Sequence, residues 1–300
     1  MRAVAAVAIA ALLAGLTACA PASERAQIVV TTNILGDVVS EIVGDAATVS
    51  VLMPPGADPH SFGVSAQEAA SLRSAELVIF SGLGLEEGVL HHVEAAEADG
   101  VPTLEAGESA DPITFADGDT AGQDDPHFWT DPSRMRPVVA AIAAAVIEHV
   151  DGVDAAVVEA GAAAYDTSLV ALEGEMEDAF AAIPAERRLL VTNHHVFAYL
   201  AERFDFTVVG AVVPSGTTLA SPSASDLASL VDAVTGNDIP AIFVDSSQPQ
   251  RLADVLADEA GLVVEVRSLF TESLSATDGD GATYLAMMRF NTAEIVAGLA

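Results

Sequence analysis

The sequence predicts an α/β fold in two lobes, each built on a parallel-type sheet and joined by a long rigid connector helix. Three observations predict it. Short β-branched runs alternate with helical periodicity along most of the chain, the pattern of parallel α/β units. The stretch from Asp154 to Ile183 breaks that alternation: it has no strand signal and is rich in alanine, leucine and glutamate, which are strong helix formers. The length, 300 residues, suits two medium cores better than one.

The chain opens on Met1-Arg2, a minimal positive segment, followed by an unbroken apolar run from Ala3 to Leu16. That run is too short to span a bilayer comfortably, so residues 1–18 read as a cleavable signal peptide. Leu16-Thr17-Ala18-Cys19 resembles a bacterial lipobox, in which the cysteine becomes the lipidated first residue. Cys19 is the only cysteine, so the exported fold manages without disulfides. Among later apolar stretches Val138–Ile147 comes closest to a membrane span, but Arg136 and Glu148 bound it.

Candidate strands then follow at Ile28–Thr32, Thr48–Met53, Leu77–Phe80, Leu189–Thr192, Val208–Val213, Ala241–Val244 and Val263–Val266. Helical periodicity marks Ile34–Val43, Ala66–Ser74, Glu86–Ala98, Met135–Val150, Val196–Arg203, Ala224–Val234, Arg251–Ala260 and Thr283–Leu299. Ser65 and Ser223 stand at N-cap positions with Glu68 and Asp226 three residues on, as in capping boxes. The strand-free middle, with only Gly161 and Gly174 interrupting it, divides an N-terminal lobe (24–150) from a C-terminal lobe (185–300) as a connector over 151–184. Ala110–Asp125, rich in aspartate and small residues, is expected to be a long flexible loop.

Charge excludes one class of partner. With 44 acidic residues against 11 arginines and no lysine, the surface repels nucleic acid and anionic headgroups.

Two copies of one tripeptide carry chemistry: Asp58-Pro59-His60 and Asp125-Pro126-His127, each followed two residues later by an aromatic, Phe62 and Trp129. Proline holds the residue before it extended and fixes its own φ, so each histidine leaves a stiff loop in a defined direction. The aspartate can orient the ring or accept its second N–H, and the aromatic can exclude water. Those are the surroundings a metal ligand needs. His194 and His195 follow the strand Leu189–Thr192 at its carboxyl end, where open α/β sheets place ligands. His91, His92 and His149 fall on or near the ends of helices and read as surface residues, His149 also complementing a helix dipole.

The ordered segments resemble one family, the metal-specific substrate-binding lipoproteins of ABC transporters (the zinc and manganese proteins called cluster A-I). The segments are Val30-Thr31-Thr32-Asn33-Ile34-Leu35-Gly36-Asp37, Pro55-Gly56-Ala57-Asp58-Pro59-His60-Ser61-Phe62 and Ser81-Gly82-Leu83-Gly84-Leu85-Glu86. They continue with Asp125-Pro126-His127-Phe128-Trp129-Thr130-Asp131-Pro132, Val191-Thr192-Asn193-His194 leading to Phe197 and Tyr199, and Phe243-Val244-Asp245-Ser246-Ser247. Leu269-Phe270-Thr271-Glu272-Ser273 precedes a closing helix with Tyr284, Met287 and Met288. The resemblance implies a metal site in the cleft between the lobes. It matches His60 and His127 to ligands from the N-terminal lobe and His194 to the third position, with His195 beside it. Glu272 falls where many members carry an aspartate that completes the site. Asp245 is the next carboxylate, read as a structural or supporting acid.

Three imidazoles and one carboxylate suit tetrahedral zinc. Manganese prefers harder oxygen ligands, so His194 at the third position argues for zinc. The stretch Ala110–Asp125 lacks the histidine-rich loop of many zinc-binding relatives, which keeps manganese as the alternative. The resemblance also implies permease and ATPase partners, a membrane anchor through Cys19 on the extracytoplasmic face, and a monomer. A zinc-dependent hydrolase is the reading from another class, but no His-Glu-x-x-His helix or Gly-x-Ser-x-Gly elbow is present. A surface adhesin would be an added role on the same fold. Because ligand histidines must be deprotonated, affinity is expected to fall below about pH 6.5.

Overall fold

The computed structural model describes residues 27–115, 120–248, 257 and 264–300. Cys19 with the 1–18 segment, the tip of the acidic stretch, Val263 and all of the expected helix Arg251–Ala260 except Ala257 lie outside the described residues.

The first lobe is β1 (Gln27–Val30), α1 (Asn33–Val43), β2 (Thr48–Val51), α2 (Ala66–Ser74), β3 (Leu77–Phe80), α3 (Glu87–Ala98) and β4 (Thr103–Glu105). Its sheet is parallel throughout, in the order β2-β1-β3-β4. Two helices follow, α4 (Pro132–His149) and α5 (Ala155–Phe180). The second lobe is β5 (Leu189–Thr192), α6 (Ala198–Phe204), β6 (Thr207–Ala211), α7 (Ala224–Gly236), β7 (Ala241–Asp245), β8 (Glu265–Leu269) and α8 (Tyr284–Leu299). Its sheet repeats the plan as β6-β5-β7-β8, again parallel. A parallel strand covered on both faces loses its polar alternation. Accordingly β3, Leu-Val-Ile-Phe, and β7, Ala-Ile-Phe-Val-Asp, are buried at every position.

Local chemistry sets the helix starts. Ser65 and Ser223 each close a capping box with Glu68 and Asp226, satisfying N–H groups that the first turn leaves free. Asp131 caps α4 through the Ser133 amide, with Pro132 in the first turn where its missing N–H is harmless.

Helix α5 runs unbroken through both of its glycines. Val158, Tyr165, Leu169, Leu172, Met176 and Phe180 are buried along it at spacings of three, four and seven, one stripe of a single helix. That stripe joins one core containing α1, α4, α8 and residues of both sheets. At Gly161 the backbone of α1 comes so close that a Cβ would stand 2.2 Å from the Ile42 carbonyl oxygen. Three arginines fasten the helix on its outer face: Arg136 to Asp166, Arg203 to Glu173 and Glu177, and Arg289 to Glu175. By length and composition Ala155–Phe180 does qualify as a membrane-spanning helix, contrary to the sequence reading. Its buried stripe instead packs inside the protein.

Three further expectations change. Thr103–Glu105 is a strand that the sequence reading passed over, because at three residues it is too short to show a period. The last strand is Glu265–Leu269, shifted from Val263–Val266 toward the carboxyl end by its pairing with β7. The stretch Ala110–Asp125 has a framework in its described part. Ala106–Ala110 is a 3-10 turn, and a Thr114–Asp124 bridge with backbone bonds from Phe115 and Asp125 ties the two flanks together.

Candidate metal centre

All four expected site residues lie beyond the carboxyl ends of strands. His194 stands two residues after β5 and Glu272 three after β8; His60 lies between β2 and α2, and His127 in the segment from β4 to α4. The crevice outside these ends, where the strand order reverses, is where open α/β sheets bind ligands.

The fold brings the four together. One ligand-type atom from each of His60, His127, His194 and Glu272 lies within 4.8 Å of the others, and every one of the four residues is buried. Glu272 Oε1 is 3.0 Å from His194 Nε2 and 3.3 Å from His127 Nε2, and Oε2 is 3.9 Å from His60 Nε2. His60 and His127 face each other with 3.4 Å between their Nε2 atoms. Yet His194 Nε2 and both Glu272 oxygens have no hydrogen bond among the described residues. A buried polar atom without a partner costs about 1–3 kcal/mol, more when charged. A cation at the centre of these atoms removes that penalty. The donor set therefore fits a metal ion.

Electrostatics point the same way. Burial alone would push the His127 imidazolium down, but the facing Glu272 and Asp125 carboxylates outweigh it and raise its pKa to about 10. His60 is governed by burial, with the neighbouring imidazoles adding to it, and its pKa falls to about 4. Burial favours a neutral Glu272, but His127 and His194 overcome it and hold the carboxyl well below its ordinary range.

The two Asp-Pro-His copies differ in how they serve their histidines. In the second, Asp125 Oδ1 accepts from both the backbone N–H of His127, at 2.9 Å, and its ring Nδ1, at 2.6 Å. This fixes the tautomer that leaves Nε2 facing the cluster. In the first, Asp58 Oδ1 accepts only the His60 backbone N–H, at 3.0 Å, and the ring Nδ1 has no partner among the described residues. The aromatics differ as well. Trp129 is buried with its ring 5.4 Å from that of His127. Phe62 packs instead on the opposite face of the sheet, against the core of Val29, Leu52 and Val78.

Asp245 lies outside the donor cluster and supports it. Fully buried at the end of β7, its Oδ2 accepts from the amides of Thr271 and Glu272 at 3.0 and 3.1 Å and from the Thr271 hydroxyl. Its Oδ1 accepts from Ser247. Burial and the nearby Glu272 charge raise its pKa. His195 points its backbone N–H to the Ser215 carbonyl, and His91 and His92 stack on each other on α3, away from the cluster.

Two supporting contacts had no sequence signal of their own. Asn33, at the start of α1, donates to Ser273 Oγ at 2.7 Å and accepts from the Leu274 amide at 2.9 Å, gripping the loop that carries Glu272. Trp129 Nε1 donates to the Thr271 carbonyl at 2.8 Å. Both contacts join segments more than 140 positions apart, so no local pattern could announce them.

Comparison with known proteins agrees with this geometry. The chain is 27% identical over 276 residues to the iron-binding protein YfeA of Yersinia pestis, covering 92% of this chain and 87% of that one. It is 26% identical over 300 residues to the manganese ABC transporter substrate-binding lipoprotein PsaA of Streptococcus pneumoniae, covering 96% of each. Among solved structures, the periplasmic zinc-binding protein TroA of Treponema pallidum superposes with a TM-score of 0.85 at 26% identity, over 92% of this chain and 99% of that one. A family model described as zinc-uptake complex component A, periplasmic (ZnuA), matches residues 28–298. With two parallel four-stranded sheets, a buried cluster of metal donors between them and that match over nearly its whole length, the chain belongs to the ZnuA family.

Proposed function

We propose that this protein captures a zinc ion outside the cytoplasm and delivers it to an ABC importer, with His60, His127, His194 and Glu272 as ligands. The single observation that carries the reading is the buried set of three imidazoles and one carboxylate, in which His194 Nε2 and both Glu272 oxygens have no hydrogen bond among the described residues. Three nitrogens and one oxygen suit zinc at about 2.0–2.2 Å. An ion that prefers hard oxygen ligands would find one carboxylate here. Relatives are named for iron, manganese and zinc, so the choice of zinc rests on these donors.

Four protein ligands fill a tetrahedral shell and leave no position for a reactive water, which is the arrangement of a binding site and not of a catalytic one. The named relatives are substrate-binding proteins, not enzymes. A lipid anchor on Cys19 would keep the protein beside its permease and ATPase partners on the outer face of the membrane. The lobes, 24–150 and 185–300, would close on the ion about the connector over 151–184.

Calorimetry on the metal-free protein is the test. It should show one tight zinc site and much weaker manganese binding; equal or reversed affinities would sink the zinc assignment. Glu272→Ala should weaken zinc binding tenfold or more, the scale on which changes around a metal alter affinity. An unchanged affinity would remove Glu272 from the ligand set.

A further inference from the structure

The cluster is sealed: His60, His127, His194 and Glu272 are at most 2% exposed. An ion can enter or leave only if one flank parts, and the flanks are fastened very differently. Around Glu272 the contacts from the N-terminal lobe are neutral, and most of them are buried. Asn33 bonds both Ser273 and Leu274, the Gly56 amide reaches Ser273 Oγ at 2.8 Å, and Trp129 bonds the Thr271 carbonyl. Around His127, the buried Tyr199 hydroxyl donates to the Asp125 carbonyl at 2.6 Å and accepts from the Ile113 amide.

The flank over His60 is different. There the C-terminal lobe reaches the N-terminal lobe through the half-buried Asp58 carboxylate. Its Oδ2 accepts from Thr218 Oγ1 at 2.7 Å and from Gln248 Nε2 at 2.9 Å, as well as from Ser61 Oγ in its own loop. The other oxygen accepts the backbone N–H of His60. One carboxylate therefore holds the His60 peptide and two segments of the opposite lobe, separated from it by 160 and 190 positions. Beside it the ring of Phe115 lies against Gly216, so close that a Cβ there would come within 2.3 Å. Leu219, next along, is half exposed.

We propose that Asp58, Thr218 and Gln248 form the latch of the metal gate: the Val213–Leu219 segment parts from Asp58 to admit and release the ion while the Glu272 and His127 flanks stay fastened. Half-buried bonds to a carboxylate exchange with water at lower cost than buried bonds between neutral groups, which leave stranded partners when broken. Asp58 is a positioning residue. Its charge ties closure of the opposite lobe to the orientation of His60, so the gate shuts where a ligand is already set. The proposal rests on the assignment of His60 and its three partners as ligands.

The test is the rate of zinc release into an excess of chelator, followed by stopped flow on the full-length protein. Thr218→Val removes the donor and keeps the shape. It should speed release roughly tenfold, the value of one hydrogen bond to a charged group, and the double variant with Gln248→Leu should release faster still. Thr218→Ser, which keeps the hydroxyl, should release like the parent. The melting temperature of the metal-free variants should stay near the parent's, which separates a latch from a general support of the fold. Release from the double variant within twofold of the parent overturns the gate. So does acceleration in Thr218→Ser equal to that in Thr218→Val. Calorimetry of the parent keeps the two readings apart: a parent that binds no zinc sinks the ligand assignment, whereas tight binding with unchanged release rates sinks the latch alone.

Discussion

Raising the pH should tighten metal binding well beyond the ordinary histidine range, because the ion must displace a proton from His127. The pKa of that imidazole is raised to about 10 by the Glu272 and Asp125 carboxylates acting against burial. With that pKa the ring keeps its proton at pH 7.5, and removing it costs about 3 kcal/mol. Below that pKa each added pH unit removes one tenfold factor, so affinity should rise roughly 100-fold between pH 7 and 9. His60 adds no slope there: with its pKa lowered to about 4 it is already neutral. This moves the pH window expected from the sequence, a loss of affinity below about pH 6.5, upward by the extent of the His127 shift. Competition titrations against a chelating dye at pH 7, 8 and 9 measure the slope. Calorimetry in buffers of different ionisation enthalpy counts the protons, and one should be released for each ion bound. A flat affinity from pH 7 to 9 with no proton released would refute the charged His127–Glu272 pair.

Asp125→Asn should flatten that slope by lowering the His127 pKa. It should also weaken zinc binding 10- to 100-fold, since the partner that orients a ligand histidine is lost; chelator competition reads both effects. Asp37→Asn should stabilise the metal-free protein at pH 8. Burial raises the Asp37 pKa from 3.8 to about 6. The acid form is favoured in the fold, so the stability it supports is present below pH 3.8 and lost as pH rises through 6, about 3 kcal/mol in all. Urea unfolding at pH 5 and pH 8 should show the variant gaining at both, by roughly half as much at pH 5 as at pH 8. Gly161→Ala should destabilise by about 1–3 kcal/mol in the same assay, because the new methyl meets the Ile42 backbone and cannot be relieved by a rotamer change. A gain in stability would mean that α1 and α5 are not packed as tightly as the structure shows.

Much of this protein was legible in its sequence, for reasons that are local. Helix α2 begins where Ser65 and Glu68 form a capping box, and β3 declares itself as an unbroken apolar run, since both signals lie within a few residues. The stiffness of two Asp-Pro-His loops named His60 and His127, and the position past a strand end named His194 and His195 together, with resemblance to a family choosing His194. Resemblance to a family was needed to add Glu272, which has no motif of its own. Tertiary structure alone decided what depends on distant partners. It gave Asp125, and not Asp58, the ring of its histidine; it made Asp245 the anchor of the Glu272 loop; and it turned Asp58 outward to Thr218 and Gln248. The charge on His127 belongs to the same class, because a pKa is set by burial and by charges within a few ångströms, whatever their place in the chain. The sequence determined which donors the site contains, since residue type fixes donor chemistry. Only the fold decided how they share their protons, since that depends on distances between segments the chain itself keeps far apart.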